Sequence, residues 1–375
     1  MPDAAYRTAF LDWLACAARG REEPAARAAA EHGDPVAAAA TAGHVLDFDD
    51  TYLPGIAHLS APTAPVALLL AETVGQALEA YAAGFEAMGA LARASHPALY
   101  DRGLHPTAVC GGLGAAVTAA RVLGLDREAE RSAVALALLG AGGLRAAFGS
   151  DGKSLQVGWA ASSGERAARL AASGARAPLE AAAAGFAEAT GGSYAEAGLG
   201  EPAIERNWIK AWPCCLQTHG SIEAAERARA GHAKPATVLV HPVSLQAAAV
   251  GPEPADGLQA KFSIPYLTAY TLLHGPPGID SFGTVDADAV RRAEAIEVRT
   301  DPALLESEAV LLDAGGAELE RVEAASGSPE HPLDAPALER KLAGLGAADL
   351  AGALDDPGRP TSGLAARLRS PRRTR

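Results

Sequence analysis

Along the first half of the chain, apolar positions recur every three or four residues in segment after segment. Stripes of this kind over 4–19, 63–71, 76–94, 106–123, 127–139, 154–172 and 178–189 predict a run of helices. The breaks between them carry turn chemistry, in HPALYDRGLHP, GLDRE and SGARAP. Asp126 before REAERSAVALALL, with Glu128 and Glu130 in the first turn, marks a helix start. After ATGGSYAEAGLGEPAIERN the texture changes. ATVLVHPVSL, AIEVRTD and EAVLLDAGG read as strands, with helical stretches at 265–273 and 287–295 between them. Residues 336–354 return to helix. The pattern predicts a mainly α protein with a large all-helical domain over 1–200 and a smaller α+β domain over 201–330. Residues 331–375 are expected to return to the helical domain and end in a flexible basic tail, ARLRSPRRTR.

Composition sharpens this picture. Of 375 residues, 49% are hydrophobic but only 5% aromatic, so small side chains must make most helix contacts. Alanine suits that role because it loses no side-chain entropy in a helix. The formal net charge of −13 argues against nucleic acid or an anionic membrane as partner, since no broad basic face can form. A small anionic substrate needs only a local cationic pocket. The four cysteines, Cys16, Cys110, Cys214 and Cys215, form no C-x-x-C pair, and adjacent cysteines rarely bridge. With MPDAAYRTAF lacking a signal pattern and no apolar run of membrane-spanning length, the expectation is a cytoplasmic protein with reduced thiols.

The densest chemistry lies in HVLDFDDTYLPGIAHLSAP, where Asp47, Asp49 and Thr51 spell the D-x-D-x-T of a phosphatase nucleophile loop. That loop needs a buried strand before it, and DPVAAAATAGHVL is helical in texture instead. No downstream acidic pair completes a magnesium site, so the phosphatase reading fails. LLGAGGLRAAFG lacks the third glycine of a dinucleotide fingerprint. Cys215 and His219 lie four apart, but no oxyanion element accompanies them. An iron–sulfur cluster lacks its three spaced cysteines.

Five stretches instead set ionisable residues in apolar surroundings: LDFDDTYLPGIAHLSAP, YDRGLHPTAVCGGLG, FGSDGKSLQVGWAA, IKAWPCCLQTHGSIEAA and KFSIPYLTAY. His105 and Lys153 each open an apolar helix, and helix N-termini attract carboxylates. With Lys210 and Lys261 they would form a cationic pocket for a substrate carrying several carboxylates. The five stretches, in this order, resemble the MmgE/PrpD family, which includes 2-methylcitrate dehydratase, cis-aconitate decarboxylase and iminodisuccinate epimerase. The resemblance runs from about residue 8 to about 345. It implies a helical domain with an α+β lid domain, a homodimer, and no cofactor.

Carried over residue by residue, the resemblance makes Asp47, His58, His105, Lys153, Lys210 and Tyr266 catalytic. Thr51, Lys153, Lys210 and His219 would bind substrate. The sequence departs from the family pattern in several places. The N-terminus is short by a helix, Tyr52 and Leu59 replace a common histidine and proline, and Gln156 stands where many members carry histidine. Cys215 stands where the decarboxylase branch carries histidine, which argues against that branch. The implied chemistry is proton abstraction beside a carboxylate of a di- or tricarboxylate. Loss of a β-hydroxyl would make a dehydratase-like lyase; reprotonation on the other face would make an epimerase or isomerase. A non-catalytic relative acting as a binding or scaffold protein remains the alternative of a different class. The roles of acid and base among His58, His105 and Tyr266 stay open.

Overall fold

Alanine and glycine let the helices of the first half approach one another closely. The computed structural model describes residues 2–31, 34–195, 198 and 200–368. Its first half runs α1 (Ala4–Gly20), α2 (Pro24–Glu31), α3 (Pro35–His44), α4 (Ser60–Leu70), α5 (Val74–Ser95), α6 (Ala98–Asp101), α7 (Pro106–Val122), α8 (Arg127–Leu139), α9 (Gly152–Ala172) and α10 (Leu179–Thr190). Aspartates start several of them: Asp34 accepts from the N–H groups of Val36 and Ala37 with Pro35 behind it, and Asp126 accepts from Ala129. The Ala-rich α2 and α3 were not resolved as separate stripes by the sequence pattern, because alanine blurs the contrast between faces.

The central contact is α7 against α9. A methyl group at Gly164 would lie 2.2 Å from the Gly112 carbonyl oxygen and 2.6 Å from Ala115 Cβ. Similarly, a methyl at Gly158 would meet Thr41 Oγ1 of α3 at 2.4 Å. These glycines set the separation of the helices whose N-terminal ends carry His105 and Lys153. Gly164→Ala is expected to cost about 1–3 kcal/mol through overpacking. Denaturant unfolding measures this, and an unchanged midpoint would show that α9 can shift freely.

The second half carries α11 (His219–Ala230), α12 (Pro242–Ala247), α13 (Gly257–Ala260), α14 (Ile264–His274), α15 (Ala287–Ala293) and α16 (Ala335–Gly344). Two short strands, β1 (Thr51–Tyr52) and β2 (Asn207–Trp208), pair antiparallel and tie the helical part to this half. A four-stranded sheet of β3 (Thr237–Val240), β4 (Glu297–Thr300), β5 (Ala309–Leu312) and β6 (Glu318–Val322) has the order β4-β3-β5-β6. Only the β3–β4 pair is parallel. ATVLVHPVSL stops being strand at Val240, since His241 caps the next N–H and Pro242 opens α12. The expected helix over 336–354 ends at Gly344, and a short 3-10 turn over Ala348–Leu350 follows. Leu342, Leu345, Leu350 and Leu354 join the apolar core of α1, α4 and α5. Of the expected basic tail, Ala366–Leu368 form a 3-10 turn, and 369–375 lie outside the described residues.

Candidate active site

The stretch after α3 is held by three lysines from three later segments. Lys261 donates to the Leu46 carbonyl at 2.7 Å, Lys210 to that of Asp47 at 2.9 Å, and Lys341 to that of Phe48 at 2.8 Å. The backbone here is exposed to bonding because Asp47 takes a left-handed conformation, φ 54°. Aspartate tolerates that region better than most residues, and such outliers gather at functional sites.

Turned this way, Asp47 Oδ1 receives Lys210 at 2.8 Å and Lys153 at 3.0 Å, with His58 Nε2 at 3.7 Å. All are buried. Burial alone would raise the Asp47 carboxyl, but Lys153 and Lys210 hold it well below the usual carboxylate range. Burial would likewise lower Lys210, yet Asp47 and Asp49 lift it above its ordinary value. Asp47 Oδ2 has no hydrogen-bond partner.

Beside this ion cluster sit three histidines. Asp49 Oδ2 lies 2.9 Å from His44 Nδ1 and 3.1 Å from His58 Nδ1. Burial favours a raised carboxyl here too, but the two imidazoles keep Asp49 well below its usual range. Thr51 Oγ1 is 3.5 Å from His58 Nδ1, and Thr107 Oγ1 accepts the His58 backbone N–H at 3.1 Å. His105 caps α7, and its Nδ1 lies 2.6 Å from the Gln156 side-chain nitrogen. The His44 and His105 rings stack with centroids 6.1 Å apart. Burial pushes all three below their ordinary value, His58 to about 3, and the nearby Lys153 works in the same direction.

His44, Asp47, Lys153 and Lys261 line a cavity of about 20 Å³, with Ser150 and Asp151 at the start of α9. A cleft of about 440 Å³ shares Val45, Asp151, Leu258 and Lys261 with it and opens toward Arg19 and Glu23. Lys261 thus stands at the neck between the two. Burial lowers its ammonium to about 8, and among the described residues no carboxylate pairs with it. A separate cleft of about 780 Å³ around Trp212 and Arg340 touches this region only through Phe48 and Lys341, and none of the convergent acid–base groups lines it. His44, Asp49 and His58 also bring three metal-ligand atoms within 4.8 Å of one another. Hydrogen bonding between imidazole and carboxylate already accounts for that grouping, and Lys153 and Lys210 beside it oppose a further cation.

The profile of the MmgE/PrpD N-terminal domain matches residues 29–196, and that of the MmgE/PrpD C-terminal domain matches residues 212–353. This chain belongs to the MmgE/PrpD family. Among its curated relatives is the cis-aconitate decarboxylase of Homo sapiens, 36% identical over 137 residues, which cover 34% of this chain and 28% of that protein. The cis-aconitate decarboxylase of Mus musculus is 29% identical over 267 residues, covering 64% of this chain and 54% of that protein. The chain therefore spans about half the length of the mouse relative and less of the human one.

Of the residues singled out in this MmgE/PrpD chain, Asp47, His58, Lys153 and Lys210 meet directly, and His105 stands beside them. Tyr266 does not join them: its phenol oxygen accepts the Asp286 N–H at 3.0 Å and its ring packs near Tyr270. The first turn of α14 aims that side chain into the α+β half. His219 is buried against Trp212, behind Lys210, and is not among the residues lining the cavity. Burial, with Lys210 nearby, lowers it to about 3. Two residues were missed as site groups, His44 and Asp49, whereas Lys261 takes the place in the cationic pocket that the sequence suggested for it. His44 is the last residue of α3, three residues before Asp47, and a histidine this close to the acidic run was the available signal.

Proposed function

We propose that this protein is a cofactor-independent lyase that removes a proton next to a carboxylate of a di- or tricarboxylate, with dehydration as the outcome. The observation that carries it is the convergence of Asp47, Lys153, Lys210 and three neutral histidines in one buried cluster, of which His44, Asp47 and Lys153 line the cavity, with Lys261, unpaired by any carboxylate among the described residues, at its neck. Fixed ammonium groups stabilise a developing enediolate, and neutral imidazoles accept protons at neutral pH. A scaffold protein has no need of buried charge held at this cost. Within this reading, Lys153 and Lys261 hold substrate carboxylates, and Lys210 keeps Asp47 in place. The relatives named cis-aconitate decarboxylase support loss of CO₂ from an unsaturated tricarboxylate as the second reading. A substrate of this size needs the 20 Å³ cavity to widen, and Lys261 and Phe262 are the lining residues that come from the α+β half.

Leu139 at the end of α8, Leu144 after it and Trp159 within α9 are large apolar side chains exposed at the surface, in favour of a homodimer. The unpaired, buried cysteines support a reducing, cytoplasmic setting. Among the described residues no helix is long and apolar enough to cross a membrane.

Proton NMR in D₂O tests the activity, using citrate, 2-methylcitrate, cis-aconitate, tartrates and amino-dicarboxylates. An alkene product with loss of a proton signal supports the dehydratase. Deuterium wash-in without an alkene would make it an epimerase, and CO₂ release from cis-aconitate a decarboxylase. Lys153→Gln is expected to remove whichever activity the wild type shows, by about 10²-fold or more, as one lost electrostatic stabiliser does elsewhere. Wild-type turnover in that variant would sink this assignment of the pocket.

A further inference from the structure

Hydrogen bonding fixes the protons of two stacked histidines in opposite places, His44 on the cavity wall and His105 behind it. Asp49 is an ionised carboxylate and can only accept, so His44 Nδ1, 2.9 Å away, must carry its proton. His44 Nε2 is then a lone pair. It is buried, has no hydrogen-bond partner, and belongs to a residue lining the cavity. His105 is set the other way. The Leu144 N–H donates to the Gln156 side-chain oxygen at 2.9 Å, which fixes the amide orientation. The Gln156 nitrogen therefore donates, to the Leu144 carbonyl at 3.1 Å and to His105 Nδ1 at 2.6 Å. His105 Nδ1 is an acceptor, and the proton of that neutral ring sits on Nε2.

We infer that His44 is the base of the reaction, Asp49 its positioning residue, and His105 a neutral positioning ring stacked on His44. This rests on the reading of the site as a proton-abstracting enzyme and assigns the roles within it. In the step, His44 Nε2 takes the proton from the carbon beside a substrate carboxylate. The C–H electron pair moves into the carboxylate, giving an enediolate that Lys153, on the cavity wall, stabilises. The pair then re-forms as C=C while the β-carbon to oxygen bond breaks. The departing hydroxyl takes the proton from the His44 imidazolium and leaves as water. Asp49 keeps its charge throughout and stabilises the imidazolium. His58 shares Asp49, but its Nε2 faces the lysine-bound Asp47 at 3.7 Å and not the cavity, so it buttresses the pair.

Long-range proton–nitrogen NMR on uniformly ¹⁵N-labelled full-length protein near pH 7.5 reads the tautomer of each of the ten histidines. His44 is expected with its proton on Nδ1, and His105 with its proton on Nε2. Their signals are assigned through His44→Gln and through Gln156→Glu, which should reverse His105 alone. Tricarballylate, a non-eliminating tricarboxylate, probes binding by melting-temperature shift. His44→Gln is expected to bind it as wild type does while losing about 10²–10⁴-fold in turnover and in deuterium exchange. Asp49→Asn is expected to lose turnover with the His44 tautomer reversed. A proton on His44 Nε2, or wild-type exchange in His44→Gln, overturns the inference while leaving the enzyme reading intact. Wild-type protein that neither binds tricarballylate nor turns over any member of the panel overturns both.

Discussion

Replacing Asp47 with asparagine is expected to abolish turnover and to cost about 3–5 kcal/mol of stability, the range for breaking a buried ion pair from one side. The substitution is nearly isosteric, and asparagine also tolerates the left-handed backbone at φ 54°, so it isolates the charge. In the wild type, Oδ1 compensates Lys153 and Lys210 together, at 3.0 and 2.8 Å. Without the carboxylate, two ammonium groups share a buried site with one neutral oxygen. One of them must then shed its proton more readily than in the unfolded chain. The sign follows: a lysine whose folded pKa is depressed penalises folding below that pKa, and the penalty fades as pH rises toward the unfolded value near 10.4. Asp47→Asn should therefore recover part of its lost stability between about pH 8 and 10, where wild type does not. Chemical denaturation at pH 7 and pH 9.5 measures both effects. A variant as stable as wild type at pH 7 would mean that solvent, not Asp47, neutralises these lysines.

Much of the helical half was legible because period and punctuation agree there. Asp126 with its acidic first turn and Pro106 after His105 mark helix starts that the structure has at Arg127 and Pro106. The strand of VLV was legible, but the following Val-Ser-Leu was not, since a proline after a capping histidine turns an apolar run into helix. The site was partly legible, because an acid or lysine in apolar company is conspicuous. Lys153 and Lys210 stood out in this way, and both reach Asp47. Asp49 did not stand out. One residue from Asp50 and two from Asp47, it reads as part of a solvated acidic turn. Only folding reveals that Asp49 bridges His44 and His58 while Asp50 turns to Ser60 and Asn207. Tyr266 erred in the opposite direction: its motif position suggested the site, yet the direction of its side chain depends on a contact to Asp286, twenty residues on. Lys261 was legible as a pocket lysine, but that no carboxylate among the described residues lies opposite it was not.

Between pH 6 and pH 4 the protein is expected to lose about 3 kcal/mol of stability per pH unit, enough to unfold it within that window. His44, His58, His105 and His219 are all buried and neutral, with burial holding each below its ordinary value. A depressed histidine favours folding above the unfolded pKa near 6.5, and that contribution is lost as pH falls below it. Unfolding in this window thus takes up about four protons. Two buried carboxyls act in the opposite sense. Burial, reinforced by Asp49, raises Asp50 to about 8, and burial raises Asp12 to about 6 against the pull of Lys341. Their native forms hold protons that the unfolded chain lacks until about pH 4, so unfolding releases about two. Net uptake of about two protons gives the stated slope at about 1.4 kcal/mol per proton per unit. Above pH 6.5 the unfolded histidines lose protons until their uptake balances the proton held by Asp50, at about pH 7. Beyond that Asp50 lowers stability while Lys261, lowered to about 8 in the folded protein, offsets it, so the maximum is broad and lies near pH 7–8. Melting temperatures across pH 4–8 test the curve. His219→Phe removes one titrating ring from a site without hydrogen bonds and should flatten the acid limb by roughly half, since one of about two net protons disappears. An acid limb equally steep in that variant would mean that His219 is already charged in the native state, with its charge compensated by a neighbour.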